Sequence, residues 1–332
     1  MKYISFTIPC YNSQDYMEKA INSLLSFKDD IEIIIVNDGS LDNTSKIAHE
    51  YEKKYNCIKV IDKENGGHGS GVNVGLKEAN GLYFKVLDSD DWIDEDSLKK
   101  VINKIKQFEK NKILVDLIIV NYVYEKMKEK KEINYKYVLP VNEIFSWNSV
   151  KRFMPSENLL MHSCIYNTKV LKSTKIKLPE HTFYVDNIFV YCPLPYINTM
   201  YYMDVPFYRY YIGRVDQSVN EQIMIKRIDQ QLFVTKTMID AFNPYDFQED
   251  RPKLTRYLIH YIDMMMVVST ILLQVSGTKE NQQKRIELWN YLKEKNYKLY
   301  TKCKQSLSGA CNLPRWIAVP GYKAARKLYK FN

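Results

Sequence analysis

The amino-acid sequence predicts an α/β fold in which a mostly parallel sheet is flanked by helices and followed by a C-terminal helical region. Short apolar, β-prone segments alternate with segments of helical periodicity over the first ninety residues. From about residue 220 only helical spacing remains, and no internal repeat or low-complexity linker separates the two parts. Continuous apolar strands joined through helices are typical of parallel sheets that are covered on both faces.

The elements follow in order along the chain. The predicted strands are residues 3–8, 31–36, 57–61, 82–87 and 116–124. Apolar residues at helical spacing follow the first and second strands, and a glycine-rich segment opens the third helix. Asn12 or Ser13 is the predicted N-cap of the first helix.

Composition limits the class of protein. A chain of 332 residues is long enough for one large domain or two, and 45% hydrophobic with 26% charged residues is ordinary for a globular protein. The six cysteines form no CxxC pair, so we expect free thiols in a reducing compartment. We expect no signal peptide, because Met1-Lys2 leads straight into the first predicted strand, and we expect the longest apolar helical stretch, residues 262–275, to be too short to cross a bilayer core of about 30 Å. We therefore expect a cytoplasmic protein.

The net charge of +9 is concentrated at the C-terminal end of the chain. Residues 297–332 contain eight Lys or Arg side chains and no acid. Apolar side chains are interleaved with them, and residues 321–331 are predicted to form a short basic amphipathic helix. Such a helix suits an anionic membrane surface and would make the protein peripheral at the inner face of the cell membrane. The alternative is a solvated tail that folds against the helical region.

Three carboxylates lie directly after the fourth predicted strand, at Asp88, Asp90 and Asp91. The carboxyl ends of strands are where open α/β sheets bind ligands. Like charges at this spacing repel one another unless water or a cation neutralises them, and Mg²⁺ or Mn²⁺ between carboxylate and phosphate oxygens is the usual case. The alternative is an acidic loop that caps the next helix, whose apolar residues begin at Leu98.

A further carboxylate follows the second strand, in the turn at residues 36–40. Asp, Gly and Ser are ordinary turn residues, so Asp38 needs no function to explain its place. In a parallel sheet, however, this turn lies on the same edge as the acidic cluster. Asp38 is therefore a candidate acceptor for a nucleobase N–H.

Five of the chain's eleven glycines lie in residues 65–75, at the start of the third helix. Glycine allows backbone N–H groups to approach an anion there. A dinucleotide fingerprint would follow the first strand and a P-loop would continue with Gly-Lys-Ser or Gly-Lys-Thr, and neither pattern is present. An isolated histidine such as His68 is more often a packed or solvent-facing residue than a catalytic one.

Taken in order, four motifs resemble those of the family 2 inverting glycosyltransferases with the GT-A fold. They are residues 8–12, residues 36–40, residues 65–67 with Asn73 and Gly75, and residues 87–92. The resemblance covers residues 1 to about 100 strongly and weakens towards residue 220. It implies a GT-A type, Rossmann-like sheet and a bacterial enzyme that depends on a nucleotide sugar.

The resemblance also implies the donor-binding residues. The donor would be a nucleotide-diphosphate sugar, with UDP as the first candidate nucleotide and the base near Pro9, Tyr11 and Asp38. The full predicted set for the nucleotide sugar is Pro9, Tyr11, Asn12, Asp38, Asn65, Gly66, Gly67, His68, Asp88, Ser89 and Arg214.

The acidic cluster would hold the diphosphate through a divalent cation, Mn²⁺ or Mg²⁺, that offsets charge on the leaving group. Asp90 is the first choice for metal contact and Asp91 the alternative ligand. Asp88 is expected nearer the ribose or the sugar.

An inverting transfer needs a base that takes the proton of the acceptor hydroxyl. In the family this carboxylate lies in an acidic motif before an apolar helix, and residues 178–189 resemble that motif. Asp186 matches the base, and Glu180 matches the acid that precedes it. The alternative is that Asp186 only caps the helix.

Two departures from the family pattern concern the donor. Val185 stands where the family commonly has Glu, and Val72 stands where it has Arg, so that His68 or Lys85 would have to make the contacts of that Arg. Residues 208–218 resemble the loop that closes over the diphosphate. Arg209 or Arg214 could pair with phosphate oxygens there, with plain surface basicity as the competing account.

The sequence therefore predicts a hexosyl- or N-acetylhexosaminyltransferase that acts on a hydroxyl of a cell-surface glycan, a teichoic-acid-like polymer or a lipid-linked acceptor. A nucleotide-sugar-binding protein without transferase activity is the alternative. Nucleic acid is not an expected partner, because the carboxylates would repel its phosphates. We expect a catalytic domain at residues 1–218, with a donor half at 1–100 and an acceptor half at 101–218, and a helical region with the basic tail at 219–332.

Overall fold

The computed structural model describes residues 1–126, 130–155, 157–212 and 220–328. Its packing divides into two units: Met1–Lys151 with Leu159–Arg214, and Arg152–Asn158 with Val215–Asn332. The first unit contains the sheet, and the described part of the second is helical. The domain boundary after residue 218 stays a prediction.

The first unit carries ten strands and six α-helices in its described part. The strands are β1 (Ile4–Cys10), β2 (Ile31–Asp38), β3 (Ile58–Lys63), β4 (Tyr83–Val86), β5 (Trp92–Ile93), β6 (Leu117–Glu125), β7 (Lys130–Ile133), β8 (Ile144–Phe145), β9 (Cys164–Asn167) and β10 (Met200–Tyr211). The helices are α1 (Met17–Asn22), α2 (Thr44–Lys54), α3 (His68–Glu78), α4 (Glu95–Lys110), α5 (Thr168–Ser173) and α6 (Asp186–Tyr191).

The second unit is built from seven described α-helices. They are α7 (Glu221–Lys226), α8 (Ile228–Ala241), α9 (Pro252–Ser276), α10 (Lys279–Lys295), α11 (Tyr297–Lys304), α12 (Leu307–Cys311) and α13 (Arg315–Leu328). The predicted fold class, a mixed α/β domain followed by a C-terminal helical region, is confirmed.

One sheet runs through the first unit in the order β3-β2-β1-β4-β9-β6-β10-β5, with β7 beside β6 and β8 beside β10. Strands β3, β2, β1 and β4 are parallel neighbours, and so are β6 and β10. Strand β9 lies antiparallel between β4 and β6. The sheet is therefore mostly parallel as predicted, with antiparallel strands that the sequence patterns did not show.

The packing of the parallel strands explains their sequence. Every residue of β1 is buried, as are all but one of β2, so an uninterrupted apolar run is needed. Because β1, β2 and β4 run in one direction, the segments that follow them leave the sheet at one edge. That edge carries the turn with Asp38 and the acidic cluster.

The first helix starts later than expected. Its N-cap is Tyr16, and α1 begins at Met17, so the prediction of Asn12 or Ser13 as the cap was wrong. Asn12 instead has a φ of +49° and accepts a hydrogen bond from the Leu41 amide through its side-chain oxygen, at 2.9 Å. Asn12 therefore serves the loop at the sheet edge, and the Ser13 carbonyl accepts from the amides of Tyr16 and Met17 just before the helix.

Helix α9 is the central helix of the second unit, where it packs against α8, α10, α12 and α13. It has 25 residues, so the expectation of a stretch too short to cross a bilayer was wrong about its length. By length and composition alone α9 could cross a membrane, a test that core helices of soluble proteins also pass. Of its most apolar window, 61% is buried in the packing.

Candidate functional site

The acidic cluster lies in a tight turn between β4 and β5. The Leu87 amide donates to the Thr7 carbonyl at 2.9 Å, and the Asp91 amide donates to the Asp88 carbonyl at 3.0 Å. The turn is joined to the loop after β1 by a 2.8 Å hydrogen bond between the hydroxyls of Ser89 and Ser13. The cluster therefore stands at the sheet edge that the sequence predicted.

Asp91 is the most deeply buried member of the cluster, with no exposed surface. One carboxylate oxygen accepts from the Tyr208 hydroxyl at 2.7 Å, and the other accepts from the Tyr211 amide at 2.8 Å. Burial raises the pKa of Asp91 well above its ordinary value, and the charges of Asp88 and Asp90 raise it further. A cation bound to this carboxylate would remove that penalty.

Asp88 is paired with His68, whose Nε2 lies 2.7 Å from the Asp88 carboxylate. Burial would raise the pKa of Asp88, but the hydrogen bond and charge of His68 outweigh it and leave that pKa below its ordinary value. Burial would likewise lower the pKa of His68, yet Asp88, with Asp186 and Asp90, raises it. The three carboxylates therefore favour the charged form of His68.

His162 is a member of the site that sequence reasoning missed. Its side chain is only 8% exposed, and neither ring nitrogen has a hydrogen-bond partner among the residues that the structure describes. The ring packs against the rings of Tyr122, Tyr208 and Tyr210. Burial lowers the pKa of His162 to about 4, so the imidazole is neutral at pH 7. No local motif marks this residue, which comes close to the acidic cluster only through the sheet.

Lys85 fixes the backbone on either side of His162. Its ammonium is fully buried and donates to the carbonyls of Met161 at 2.8 Å, His162 at 2.6 Å and Cys164 at 3.3 Å. Burial lowers the pKa of Lys85 to about 7. The suggestion that Lys85 reaches the donor phosphate is therefore wrong, because its three donors are directed at backbone carbonyls.

Ligand atoms of Asp88, Asp91 and His162 all lie within 4.8 Å of one another. Adjacent ligands of an octahedral ion with bonds of about 2.1 Å lie about 3 Å apart and opposite ligands about 4.2 Å apart, so small shifts would bring these three onto one cation. The two buried ring nitrogens without partners are the observation that fits such an ion. Asp90, the predicted first ligand, is half-buried and outside this group of three, and its role stays a prediction.

Asp186 is the first residue of α6, and its side chain is half-buried. Val185 occupies the N-cap position and forms no side-chain cap bond. The backbone amides of Asp186 and Asn187 hydrogen-bond to the Asp186 carboxylate and lower its pKa, as they would for a carboxylate that caps the helix. Burial raises the pKa of Asp186 to about 6, although the charge of His68 lowers it. The carboxylate thus faces the same histidine as Asp88, while Glu180 is exposed.

Asp38 and the glycine-rich segment are bound to each other. One Asp38 oxygen accepts from the Gly66 amide at 2.9 Å and from Lys63 at 2.7 Å, and the other accepts from the Gly67 amide at 2.7 Å. The anion at this helix start is therefore a carboxylate of the chain itself. Asp38 is 2% exposed, so a contact with a nucleobase would use the acceptor capacity that remains on its second oxygen.

The glycines also bring the segment before Asp186 close to α3. A Cβ on Gly69 would lie 2.7 Å from the Pro179 carbonyl oxygen, and one on Gly67 would lie 3.1 Å from the His181 amide. The Asn73 side chain donates to the Leu178 carbonyl at 2.8 Å and accepts from its amide at 2.9 Å. The start of α3 thus positions the segment that carries the predicted base.

The remaining predicted donor residues lie at this edge of the sheet or beside it. Pro9 is buried against the position of Gly71, Tyr11 is about half exposed, and Asn65 is exposed with its side chain donating to the Asp38 carbonyl at 2.9 Å. Ser89 bonds to Ser13 as described above. Their contacts with a donor stay predictions.

The two arginines predicted in a loop at residues 208–218 have different outcomes. The prediction of a loop was wrong for Arg209, which lies within β10. Arg209 bridges Asp94 at 2.7 Å and Glu125 at 3.0 Å. It is therefore neither a basic surface residue nor available for phosphate without breaking both ion pairs. Arg214 lies outside the described residues.

A Rossmann-like sheet with a buried acidic cluster and a second carboxylate at its ligand-binding edge defines a glycosyltransferase that uses a nucleotide-sugar donor. The profile of glycosyl transferase family 2 matches residues 5–170. The chain belongs to that family.

Among curated proteins, the chain is similar to the putative glycosyltransferase EpsH of Bacillus subtilis (strain 168), with 26% identity over 305 residues, or 85% of this chain and 79% of EpsH. It spans less than half the length of several other curated glycosyltransferases that it matches. Whole-protein activities therefore do not transfer from those relatives.

Two solved structures share the fold. Residues 1–349 of S. aureus TarS in complex with UDP-GlcNAc match at a TM-score of 0.69 and 20% identity, over 99% of this chain and 92% of that one. The mannosyltransferase PcManGT from Pyrobaculum calidifontis, in complex with GDP-Man and Mn²⁺, matches at a TM-score of 0.53 and 15% identity, over 99% and 88%. Both confirm the predicted GT-A architecture.

Proposed function

We propose that this chain is an inverting glycosyltransferase that moves a sugar from a UDP-linked donor to a hydroxyl of a cell-surface glycan, teichoic-acid-like polymer or lipid-linked acceptor. The observation that carries the proposal is that His68 bonds to Asp88 and also interacts electrostatically with Asp186, at the sheet edge where the donor diphosphate would lie. The UDP-GlcNAc complex of TarS supports UDP as the nucleotide.

Asp186 is the proposed base. Inversion requires the acceptor oxygen to attack the anomeric carbon from the face opposite the leaving group, with a carboxylate in reach of its proton. A pKa of about 6 leaves Asp186 largely ionised at pH 7 and still a stronger base than an ordinary aspartate. Its position at the start of α6, next to the segment that packs on α3, holds it in a fixed place.

The acidic cluster is the proposed site for a divalent cation, Mn²⁺ or Mg²⁺. When bound, such an ion supplies a Lewis acid that offsets the negative charge developing on the departing nucleoside diphosphate. Asp88 and Asp91 fit this role by their spacing, and Asp90, which is half-buried like Asp88, stays a proposed ligand. His68 holds Asp88 in position through its hydrogen bond, and its charged form also lowers the pKa of Asp186.

A nucleotide-sugar-binding protein without transferase activity is the second candidate, favoured by Val185 in place of the family's Glu. The two proposals differ in one respect. A binding protein has no need for a base, whereas burial and neighbouring charge raise the pKa of Asp186 to about 6, in the range that base catalysis uses.

We also propose that α13 contacts an anionic membrane surface and makes the enzyme peripheral at the cytoplasmic face. On its inner side Ala318 is buried, and Tyr322 and Arg326 both donate to Glu221 of α7 at 2.7 Å. On the opposite side the exposed residues, at helical spacing, are Leu313, Trp316, Ile317, Pro320, Lys323 and Lys327. Apolar residues with lysines at one edge suit the headgroup region of an anionic bilayer.

The test of the enzymatic proposal is a panel of nucleotide sugars with Mn²⁺, scored for thermal stabilisation and for slow hydrolysis of the donor. A ligand at a hundred times its dissociation constant stabilises a protein by about 2.7 kcal/mol. Asp186→Asn should bind the stabilising donor as wild type does. Its rates of hydrolysis and transfer should fall by roughly 10²–10⁴-fold. Glu180→Gln, at an exposed acid of the same segment, is the matched control and should retain activity.

Three outcomes separate the proposals. Stabilisation with turnover that depends on Asp186 supports the inverting transferase. Stabilisation without turnover in the wild type supports the binding protein. Wild-type turnover in Asp186→Asn would exclude Asp186 as the base.

A further inference from the structure

We infer that His162 is a direct nitrogen ligand which, with Asp88 and Asp91, forms a cation site that holds its ion before the nucleotide binds and prefers Mn²⁺ to Mg²⁺. The inference rests on the proposed function only in that the cation is the same one. It adds a ligand from the segment directly before β9, outside the acidic motif. It also adds a preference for one of the two ions.

The geometry of the three residues carries the argument. Their ligand atoms lie within 4.8 Å of one another although the residues come from separate segments of the chain. Asp91 is fully buried, His162 is 8% exposed and Asp88 is half-buried, so two of the three ligands are shielded from water and the third is partly exposed. A site formed by three side chains of the protein needs no phosphate oxygen to hold an ion.

The two ring nitrogens of His162 have no hydrogen-bond partner among the residues that the structure describes. Buried ring nitrogens normally find a hydrogen-bond partner, yet both nitrogens of His162 lack one among the residues described. The other donors near the cluster have partners, because Lys85 donates to backbone carbonyls and His68 bonds to Asp88. An imidazole next to two carboxylates is a ligand set for a transition-metal ion.

The surrounding residues keep these ligands in place. Lys85 fixes the backbone at Met161 and His162 through two short hydrogen bonds. Tyr208 packs on the His162 ring with centroids 4.6 Å apart and also donates to Asp91. Supporting groups of this kind orient metal ligands, and their loss costs about 10–100-fold in metal affinity.

The ligand types decide the ion. Mg²⁺ is satisfied by oxygen ligands and keeps several waters, whereas imidazole nitrogen favours first-row transition metals. Replacing His162 with an amide should therefore weaken Mn²⁺ more than Mg²⁺. A site of oxygen ligands alone would show the same loss for both ions, or none.

The experiment uses the full chain and Mn²⁺ alone, without nucleotide. Titration followed by electron paramagnetic resonance should show one bound Mn²⁺ in the wild type and an affinity weaker by roughly tenfold or more in His162→Gln. The affinity for Mg²⁺, measured by competition, should change less. His49→Gln, at a half-exposed histidine bonded to Asp62, is the matched control and should bind Mn²⁺ as wild type does.

Pulsed measurements on the wild type keep the test independent of how well the variant folds. A nitrogen-14 coupling to the bound Mn²⁺ is expected, and it should persist in His68→Gln, which removes the other nearby imidazole. Binding without such a coupling, or a coupling that disappears in His68→Gln, overturns the inference. Absence of Mn²⁺ binding without nucleotide also overturns it, while a separate titration of UDP with Mn²⁺ decides whether the metal role in the proposed function survives.

Discussion

The hydroxyl of Tyr208 donates a 2.7 Å hydrogen bond to the carboxylate of Asp91, 117 residues away in the sequence. The same oxygen accepts from the Asp88 amide at 3.1 Å. One fully buried tyrosine on β10 is therefore hydrogen-bonded to two acids of the cluster. The position of the acidic turn depends on this strand as much as on β4, which precedes it.

We expect Tyr208→Phe to lower the free energy of unfolding by about 1–3 kcal/mol, because a buried carboxylate and a backbone amide would each lose a partner. The measurement is urea unfolding of both proteins at pH 7. Tyr196→Phe, at a tyrosine of the first unit that is 50% exposed, is the control and should change stability by less than about 0.5 kcal/mol. Equal effects of the two substitutions would contradict the supporting role of Tyr208.

The rate of transfer should rise with pH and reach half its maximum near pH 6. Asp186 must be ionised to accept a proton, and its pKa of about 6 means that it is protonated below that pH and ionised above it. Because the charge of His68 lowers the pKa of Asp186, His68→Gln should move the half-maximal point to higher pH. Initial rates from pH 4.5 to 8 would test this, and a midpoint unchanged in His68→Gln would count against the coupling.

Gly69→Ala should reduce transfer more than it reduces stability. The new methyl group would lie 2.7 Å from the Pro179 carbonyl oxygen, so the segment leading to Asp186 must move. A displacement of about 1 Å at a reacting group costs up to about 10²-fold in rate. Gly321→Ala is the control, since no atom lies within 4 Å of its added carbon. Rates and unfolding midpoints of both variants give the comparison, and full activity in Gly69→Ala would refute the positioning role.

Replacing Trp316 and Ile317 together with Ser should release the protein from anionic vesicles. Trp316 is 77% exposed on the outer side of α13, where insertion of its ring would add to the attraction of about 1 kcal/mol for each nearby Lys. Sedimentation with phosphatidylserine vesicles at low and high salt measures the effect. Tyr297→Ser, at an aromatic residue of α11 that is 66% exposed, should leave binding unchanged. No loss of sedimentation in the double variant would mean that α13 does not contact lipid.

Much of the sheet could be predicted from local patterns, because strands buried on both faces need unbroken apolar runs. The five predicted strands correspond to β1, β2, β3, β4 and β6. Strand β9 was not predicted, since its four residues follow no long apolar run and its antiparallel place between β4 and β6 is set by tertiary pairing. The prediction of the first helix cap was wrong because the Asn12 side chain accepts a hydrogen bond from the loop after β2.

The site shows the same limit. Acids next to one another in sequence could be recognised, but the partners that fix them come from distant strands. Lys85 and Arg209 look alike as isolated cations, and only the structure reveals that one binds backbone carbonyls while the other joins Asp94 to Glu125. His162 carries no sequence signal at all, because its proximity to Asp88 and Asp91 depends on strand order.

The two hydrogen bonds between Asn73 and Leu178 have a consequence for protein engineering. They join the glycine-rich segment, a natural target for changing donor specificity, to the segment that carries Asp186. A chimera that exchanges residues 65–75 alone would carry a foreign surface against the native 178–186 segment and displace Asp186, the proposed base. Successful exchange of specificity in this chain would have to transplant both segments together.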